Sequence, residues 1–428
     1  MFESLLNAFR APDIRRRILY VLAILIVFRF LAHVPVPGVD RGALQQFFAG
    51  NALIGVLDLI SGGGLSSFSI VALGVNPYIN ASIIMQLMTG VIPSLQALSR
   101  EGEYGRNKIY QYTRYLSVPM AILQSYGFLA LLNSNNVLVG QFDLGSFDTL
   151  TQIATLTAGA VALMWIGELI TERGIGNGIS FIIFAGIVSR APGAISGFLQ
   201  TPNPALVIGF AILAIVSVAV IIYIQEGQRR IPIQYASRVR GRRMYQGGQT
   251  FLPLRVNQAG VIPIIFAISI LLFPAQIAQY FTASDVEWVR NTANWISTNL
   301  DGRTNVPLYG SMYFALVVFF TYFYTAFQFR PDQTADFLRK NGGFIPGIRP
   351  GKPTEDFLSR VTNRITLGGA LFLATLAVLP LIVAAAIPGT QGLQLGGTSI
   401  LIVVSVVVET MKQLEAQMMM RHYEGFIR

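Results

Sequence analysis

Long runs of apolar residues, separated by polar stretches, repeat along the whole chain. Ten such runs lie near residues 18–34, 75–95, 115–132, 151–170, 177–199, 204–224, 257–279, 308–328, 365–387 and 397–415. Each is long enough to cross a hydrocarbon core of ~30 Å as a helix, and none alternates apolar with polar residues as a barrel strand would. The pattern predicts an all-α polytopic membrane protein with ten transmembrane helices. Glu409 and Lys412 interrupt the last run, which we keep as a span because it leaves the cationic tail on the cation-rich side.

Composition supports a membrane protein and narrows the chemistry. The chain has 428 residues, of which 53% are hydrophobic and only 12% charged, whereas soluble domains carry about 25% charged residues. One polytopic domain fits these values better than several soluble ones. The absence of cysteine excludes disulfides, thiolate metal sites and a thiol nucleophile, and two histidines cannot form a zinc centre alone. We therefore expect no metal, no cofactor and no enzymatic activity.

The distribution of cations predicts the orientation. The two termini and alternate loops hold 26 Lys and Arg residues, whereas the other five loops hold three, Arg41, Arg290 and Arg303. The positive-inside rule places both termini in the cytoplasm, which makes the cytoplasmic membrane the expected location. A signal peptide is the alternative for residues 1–35, but the first apolar run is long and residues 34–38 (VPVPG) are not a small-residue cleavage site. A retained first helix is the better interpretation.

Ten spans divide into two sets of five, which would enter the membrane from opposite sides. This permits an inverted repeat of residues 1–199 and 200–428, hinged at the external loop 200–204. The two halves show no self-similarity residue by residue, so this interpretation rests on topology alone.

An external stretch at residues 57–70 is too apolar for a solvated loop and too short to span the membrane. It contains Gly62, Gly63 and Gly64, followed by Leu65, Ser66 and Ser67. A re-entrant element, such as a mobile plug or half-helix, is one interpretation, because irregular backbone at membrane depth needs protein or a water-filled cavity around it. An interfacial helix with a flexible start is the other, and the composition does not separate them.

Two long cytoplasmic loops, at residues 225–256 and 329–364, each carry seven cations. Those of the first loop are Arg229, Arg230, Arg238, Arg240, Arg242, Arg243 and Arg255. Such residues can simply retain a loop in the cytoplasm. The cluster at 240–243 also suits docking to RNA phosphates or to an acidic protein face.

Few ionisable groups lie within the spans. Arg29, Arg190 and Glu168 are near span ends, where anchoring at the interface explains them. Asn80, Gln86, Gln124 and Asn257 are suited to hydrogen bonds between helices or, less often, to a binding site. The glycine-rich stretch 173–178 lacks the spacing of a nucleotide loop and follows no predicted strand. Any energy source must then be a partner or the membrane potential.

Several stretches together are similar to the SecY family of bacterial protein-conducting channel subunits. They are residues 26–29 (IVFR), 35–38 (PVPG), 61–63 (SGG), 72–79 (ALGVNPYI), 106–108 (RNK), 111–115 (QYTRY), 170–178 (ITERGIGNG), 252–257 (LPLRVN), 259–263 (AGVIP) and 347–351 (GIRPG). The resemblance runs through the whole chain, in the family's order.

The resemblance implies two five-helix halves that enclose an hourglass pore, with a plug at about residues 60–70. The implied constriction is a ring of aliphatic side chains, Val75, Ile79, Ile183, Ile265 and Ile402. It also implies a lateral gate between spans two and three on one side and seven and eight on the other, with polar positions at Asn80, Gln124 and Asn257. Ordinary helix packing explains aliphatic residues equally well when the family is left aside.

The implied partners are the ribosome, the motor ATPase SecA, the small subunits SecE and SecG, the secretory polypeptide and membrane lipid. Arg229, Arg230, Arg242, Arg243 and Arg349 are the expected docking positions. Arg190 has no counterpart in the family pattern, and Val75 is smaller than expected for the ring.

Two alternative functions fit the sequence less well. A secondary transporter of small solutes needs charged groups mid-membrane, and an intramembrane protease needs a catalytic pair inside the spans.

Overall fold

The protein is seen here as a computed structural model. The structure describes residues 11–50, 58, 61, 63–140, 142–143, 145–199, 204–235, 238–240, 243–245, 248–282, 286–300, 305–386 and 394–424. The predicted hinge loop 200–204 lies outside this part of the chain except for Pro204.

Helices lie on all ten predicted spans. The fourteen helices of the described residues are α1 (Pro12–Leu31), α2 (Arg41–Gly50), α3 (Asn76–Val91), α4 (Pro93–Arg100), α5 (Glu103–Ser134), α6 (Phe147–Arg173), α7 (Gly178–Leu199), α8 (Pro204–Glu226), α9 (Ile262–Phe281), α10 (Glu287–Asn299), α11 (Val306–Gln328), α12 (Pro331–Lys340), α13 (Lys352–Ala386) and α14 (Gln394–Glu424).

Not every helix is long and apolar enough to cross a membrane by itself. Among the described residues, five meet that test: Glu103–Ser134, Phe147–Arg173, Ile262–Gln279, Val306–Lys340 and Lys352–Val383. A sixth results if α3 and α4 are taken as one span, and two shorter apolar helices are Gly178–Gly193 and Ala211–Glu226. A multi-spanning membrane protein follows from these lengths, while the count of ten remains a prediction.

The second predicted span differs from its expected form. Helix α3 ends at Val91, and α4 leaves it at an angle of 98°. Ile92 has extended backbone angles, φ −89° and ψ 115°, because the ring of Pro93 disfavours the helical conformation of the preceding residue. The span is therefore shorter than the apolar run suggests.

Two buried apolar clusters make up the core. The larger draws residues from α1, α3, α6, α7, α8, α9, α11, α13 and α14, so it joins helices of both predicted halves. The second packs α2, α5 and α6 around the segment that follows α2, including Leu65 and Phe68. Ile70 packs against both clusters, so this segment lies between them.

The two basic loops fold together, which the sequence analysis did not predict. Strands β1 (Gln228–Tyr235) and β4 (Gln249–Arg255) form an antiparallel pair, and β2 (Arg238–Arg240) pairs with β3 (Arg243–Tyr245). Strand β5 (Gly343–Phe344) of the second loop pairs with β1. We call the sheet β4-β1-β5 and its buried cluster the platform; the buried residues are Ile231, Leu254, Ile345, Leu358 and Val361.

Candidate functional site

A cavity of about 590 Å³ opens at the end of the bundle where α5 begins and α6 ends. Residues of α3, α5, α6, α7, α9 and α11 line it, so both predicted halves contribute. Most of the residues that line it are polar, and they include Ser82, Gln86, Asn107, Gln111, Arg114, Glu168, Thr171, Glu172, Asn177 and Ser180. Ile79 and Ile265 line the same cavity. A polar vestibule therefore meets an aliphatic surface.

The five predicted ring residues belong to one buried cluster. Their exposed fractions range from 0% for Ile183 to 7% for Ile265. Val75 and Ile79 lie on either side of the start of α3, Ile183 is on α7, Ile265 on α9 and Ile402 on α14. Side chains that are up to 327 positions apart in the sequence, from Val75 to Ile402, are thus brought into the same apolar cluster.

An ion pair bridges two helices at the vestibule wall. The Arg114 guanidinium on α5 donates from Nε to Oε1 of Glu168 on α6, at 2.7 Å. Glu168, interpreted from the sequence as an interface anchor, lines the vestibule and is paired there. The sequence offered a weak signal for this pair, an acidic residue within an otherwise apolar run.

The described part of the predicted plug, residues 61 and 63–70, forms turns rather than a regular helix, and Gly62 lies outside the described residues. Its backbone is tied to the chain after α1: Val36 N donates to Phe68 O at 2.8 Å and Ile70 N donates to Val34 O at 3.0 Å. The Phe68 ring stacks on Phe128 of α5, with centroids 6.2 Å apart. We call residues 61 and 63–70 the plug segment.

The end of the plug segment lies directly against α6. A Cβ placed on Gly159 would be 1.7 Å from the carbonyl oxygen of Ile70. Such a distance is far inside van der Waals contact, so only glycine permits this approach between the two backbones. The segment is therefore seated by backbone contact as well as by its apolar side chains.

Arg190 was also interpreted from the sequence as an interface anchor, and its guanidinium pairs with residues at the plug segment. Its Nη2 donates to Oδ2 of Asp58 and, at 2.8 Å, to Oγ of Ser66. The Asp58 side chain is 2% exposed. The sequence analysis missed this pair, although a single aspartate within the apolar stretch 57–70 was a usable signal.

The three predicted gate residues lie on or next to helices that pack together. Helix α9, which follows Asn257, packs on α3 and α5, which carry Asn80 and Gln124. The Asn257 side chain donates to Gly260 O and accepts from Gly260 N, both at 3.0 Å, and so closes its own turn. Nε2 of buried Gln124 has no hydrogen-bond partner among the described residues. The expected hydrogen bonding of Gln124 or Asn257 across the seam is not seen in this part of the chain.

The docking candidates lie on or near the platform. Arg229 and Arg230 are exposed on β1, and Arg349 is exposed in the loop after β5. Arg243 is on β3, and Arg242 lies outside the described residues. Because β1 and β5 pair, the platform brings exposed cations of both basic loops to the same part of the molecule.

Known proteins resemble this chain over its whole length. The SecY family model matches residues 69–411. Protein translocase subunit SecY of Streptomyces scabiei is 45% identical over 446 residues, and that of Streptomyces griseus is 46% identical over 443 residues; each alignment covers 100% of both chains.

Solved channel structures have a similar fold at 20% identity. A protein-conducting channel gives a TM-score of 0.66, covering 93% of this chain and 91% of its own. A SecY structure whose plug domain is described as stabilising the closed state of the translocation channel gives 0.65, covering 92% and 90%. Sec61 in a canine ribosome-channel complex gives 0.62, covering 93% and 91%. The predicted class, a helical membrane channel fold, is confirmed.

Proposed function

Because the chain belongs to the SecY family and is a subunit of a protein translocation channel, we propose that unfolded secretory polypeptides cross the membrane through its vestibule and aliphatic ring. The family is one of channels rather than of enzymes, and small-solute transport is not its function.

The observation that carries the proposal is the junction between the polar vestibule and the buried aliphatic cluster. A polar wall can hydrate an entering chain, whereas an aliphatic ring cannot hydrogen-bond to it and so does not retain it. When no chain is present, an apolar constriction dewets and blocks ions. Ile79 and Ile265 line the vestibule and belong to the same cluster as Val75, Ile183 and Ile402, so one path would connect the two regions.

Site-specific crosslinking tests this path. The chain has no cysteine, so single cysteines at Ile79, Ile183 and Ile265 can be probed without background. Each is crosslinked to a cysteine in a secretory chain stalled during translocation. Ile26 of α1, which is 70% exposed, provides a matched isoleucine-to-cysteine control outside the cluster. We expect crosslinks at the three ring positions and none at Ile26. Active preparations that give no crosslinks at the ring would contradict the pore assignment.

We assign the plug segment to sealing the idle channel and the seam between α9 and helices α3 and α5 to lateral release of hydrophobic segments into lipid. The seat of the segment between the two apolar clusters supports the first assignment. The packing of α9 on α3 and α5 supports the second, since separating these helices would open a path from the vestibule toward lipid.

The platform is the docking surface in this proposal. A ribosome or the motor ATPase SecA would bind there and supply the driving force. The exposed cations on β1 and in the loop after β5 support binding to phosphates or to an acidic protein face. A ribosome complex of a structurally similar channel supports the ribosome as one partner.

The remaining assignments concern the surroundings of the channel. We place the chain in the cytoplasmic membrane with both termini and the platform in the cytoplasm, on the basis of the cation bias. Residues 1–199 and 200–428 would form its two halves. The small subunits SecE and SecG, together with lipid, would cover outward apolar faces such as that of α8, where Ile212, Ile215 and Val216 are exposed.

A further inference from the structure

Asp58 organises the turn at the start of the plug segment. Its Oδ1 accepts the backbone N–H groups of Leu65 and Ser66, each at 3.0 Å, and its carbonyl oxygen accepts from Gly63 N at 2.8 Å. The carboxylate is thus bonded to one end of the turn, and the backbone carbonyl of the same residue to the other. Because the side chain is almost fully buried, its negative charge depends on these donors and on a cation for stabilisation.

Arg190 of α7 supplies that cation. The guanidinium contacts the other carboxylate oxygen, Oδ2, and also donates to the Ser66 hydroxyl. One arginine, 124 positions from Ser66 and 132 from Asp58, thus joins α7 to two points of the turn. Both contacts involve Nη2, so a movement of the turn away from α7 breaks them together.

Gly63 permits this arrangement. Its φ is +86°, and a Cβ at this position would be 3.2 Å from Arg190 Nε. The guanidinium therefore packs against bare backbone.

We propose that Asp58 and Arg190 form a latch that holds the plug segment in its seat and that Arg190 sets how readily the idle channel opens. The inference rests on the proposed function of the segment as a plug. Apolar contacts of Leu65 and Phe68 also hold the segment, but they weaken gradually as the segment slides, whereas the latch is lost in one step when Nη2 separates from its two acceptors.

The first test measures release of the segment without any translocation. Ser69 is fully buried, and Ser69→Cys introduces a nearly isosteric thiol into a chain that has no other. The rate at which a membrane-impermeant maleimide labels this thiol in the idle channel, purified in lipid vesicles, reports exposure of the segment. We expect Arg190→Gln and Asp58→Asn each to raise the rate about tenfold, and the double variant to raise it no further than the faster single variant.

The matched control makes the same two changes elsewhere. Asp336→Asn and Arg339→Gln neutralise an exposed ion pair on α12, whose side chains are 56% and 58% exposed. These variants should label at the original rate.

Arg190→Lys keeps the positive charge and should restore most of the protection. If Arg190→Gln does not fold, Ser66→Ala removes only one of the two Nη2 acceptors and should raise the rate about threefold. Unchanged rates in the folded variants would overturn the latch.

Ion leak through the idle channel separates the latch from the proposed sealing role. Faster labelling with a roughly tenfold larger leak in the Arg190→Gln variant would support both. Faster labelling with an unchanged leak would support the latch and contradict sealing by the segment. An unchanged labelling rate would overturn the latch whatever the leak, while the crosslinking test of the pore would be unaffected.

Discussion

The aliphatic cluster among the helices and the platform in the basic loops are both buried apolar cores, but they are built differently. The cluster is contributed by helices, each recognisable from its own run of apolar residues. The platform is built from short strands of two separate loops whose most obvious feature is positive charge. Local hydropathy is therefore sufficient to predict the helices of the aliphatic cluster, whereas the platform forms only when distant segments pair.

The largest effect is expected when a charge is placed in the aliphatic cluster. Ile183→Asp places an unpaired carboxylate in the fully buried cluster, which should destabilise the protein by about 4 kcal/mol. If the cluster lines a pore, the same charge should hydrate it and increase ion leak in the idle channel. Thermal unfolding in detergent and vesicle conductance measure the two effects. Ile183→Val, expected to cost about 1 kcal/mol, is the control. A fully stable, tight Ile183→Asp channel would contradict this account.

Truncation of the platform core comes next. Leu358 on α13 is fully buried beneath the sheet, and Leu358→Ala should destabilise the platform by about 3 kcal/mol through lost burial and an unfilled cavity. Hydrogen exchange should become faster in β1 and β4 and remain unchanged in α6. Leu367→Ala, on the same helix but 48% exposed, is the control and should change little. Equal effects of the two substitutions would show that the platform has no core of its own.

The surface of the platform should affect docking rather than stability. Arg229→Glu with Arg230→Glu should weaken ribosome binding about tenfold at low salt. The dependence of log affinity on log salt should become shallower by about two, because two fewer phosphate contacts release counterions. Arg242→Glu with Arg243→Glu should act in the same direction. Arg290→Glu, in a predicted external segment, serves as the control. An unaltered salt slope would count against phosphate docking.

The gate residues should give the smallest effects, and of opposite sign. Asn257→Leu removes two part-buried hydrogen bonds that close the turn before α9 and should destabilise that turn by about 1 kcal/mol. Gln124→Leu removes a buried amide nitrogen that has no partner in the described residues and should stabilise the closed state by about 1 kcal/mol.

Translocation of substrates with graded signal hydrophobicity measures both substitutions. We expect Gln124→Leu to require a more hydrophobic signal and Asn257→Leu a less hydrophobic one. If both variants show the original dependence on the signal, these residues do not affect the gate.

Much of the helical architecture could be predicted, because each long apolar run by itself indicates a membrane-spanning helix. The bend at Ile92 could also have been predicted from the sequence, since Pro93 restricts the backbone of the residue before it. The platform was harder. Ile231, Ile233 and Tyr235 alternate along β1 and face Leu252 and its neighbours across the register, but seven cations in the same loop favoured a solvated interpretation.

The polar contacts of the site depend on tertiary structure. Asp58 and Arg190 are 132 positions apart, and Arg114 and Glu168 are 54 apart, so no local pattern pairs them. The ring positions came from the family resemblance, because Ile and Val on a helix are otherwise indistinguishable from ordinary core. The structure places the five together, and their role in a pore stays a prediction.

The platform also introduces a mechanical asymmetry. Its strands lie between α8 and α9 and between α11 and α13, all of which follow residue 200 in the chain. A large partner docked on the platform would immobilise only the helices that follow residue 200. The helices before residue 200 would remain free to move relative to these immobilised helices. Helix α9 could then separate from α3 and α5 while the docked surface keeps its shape.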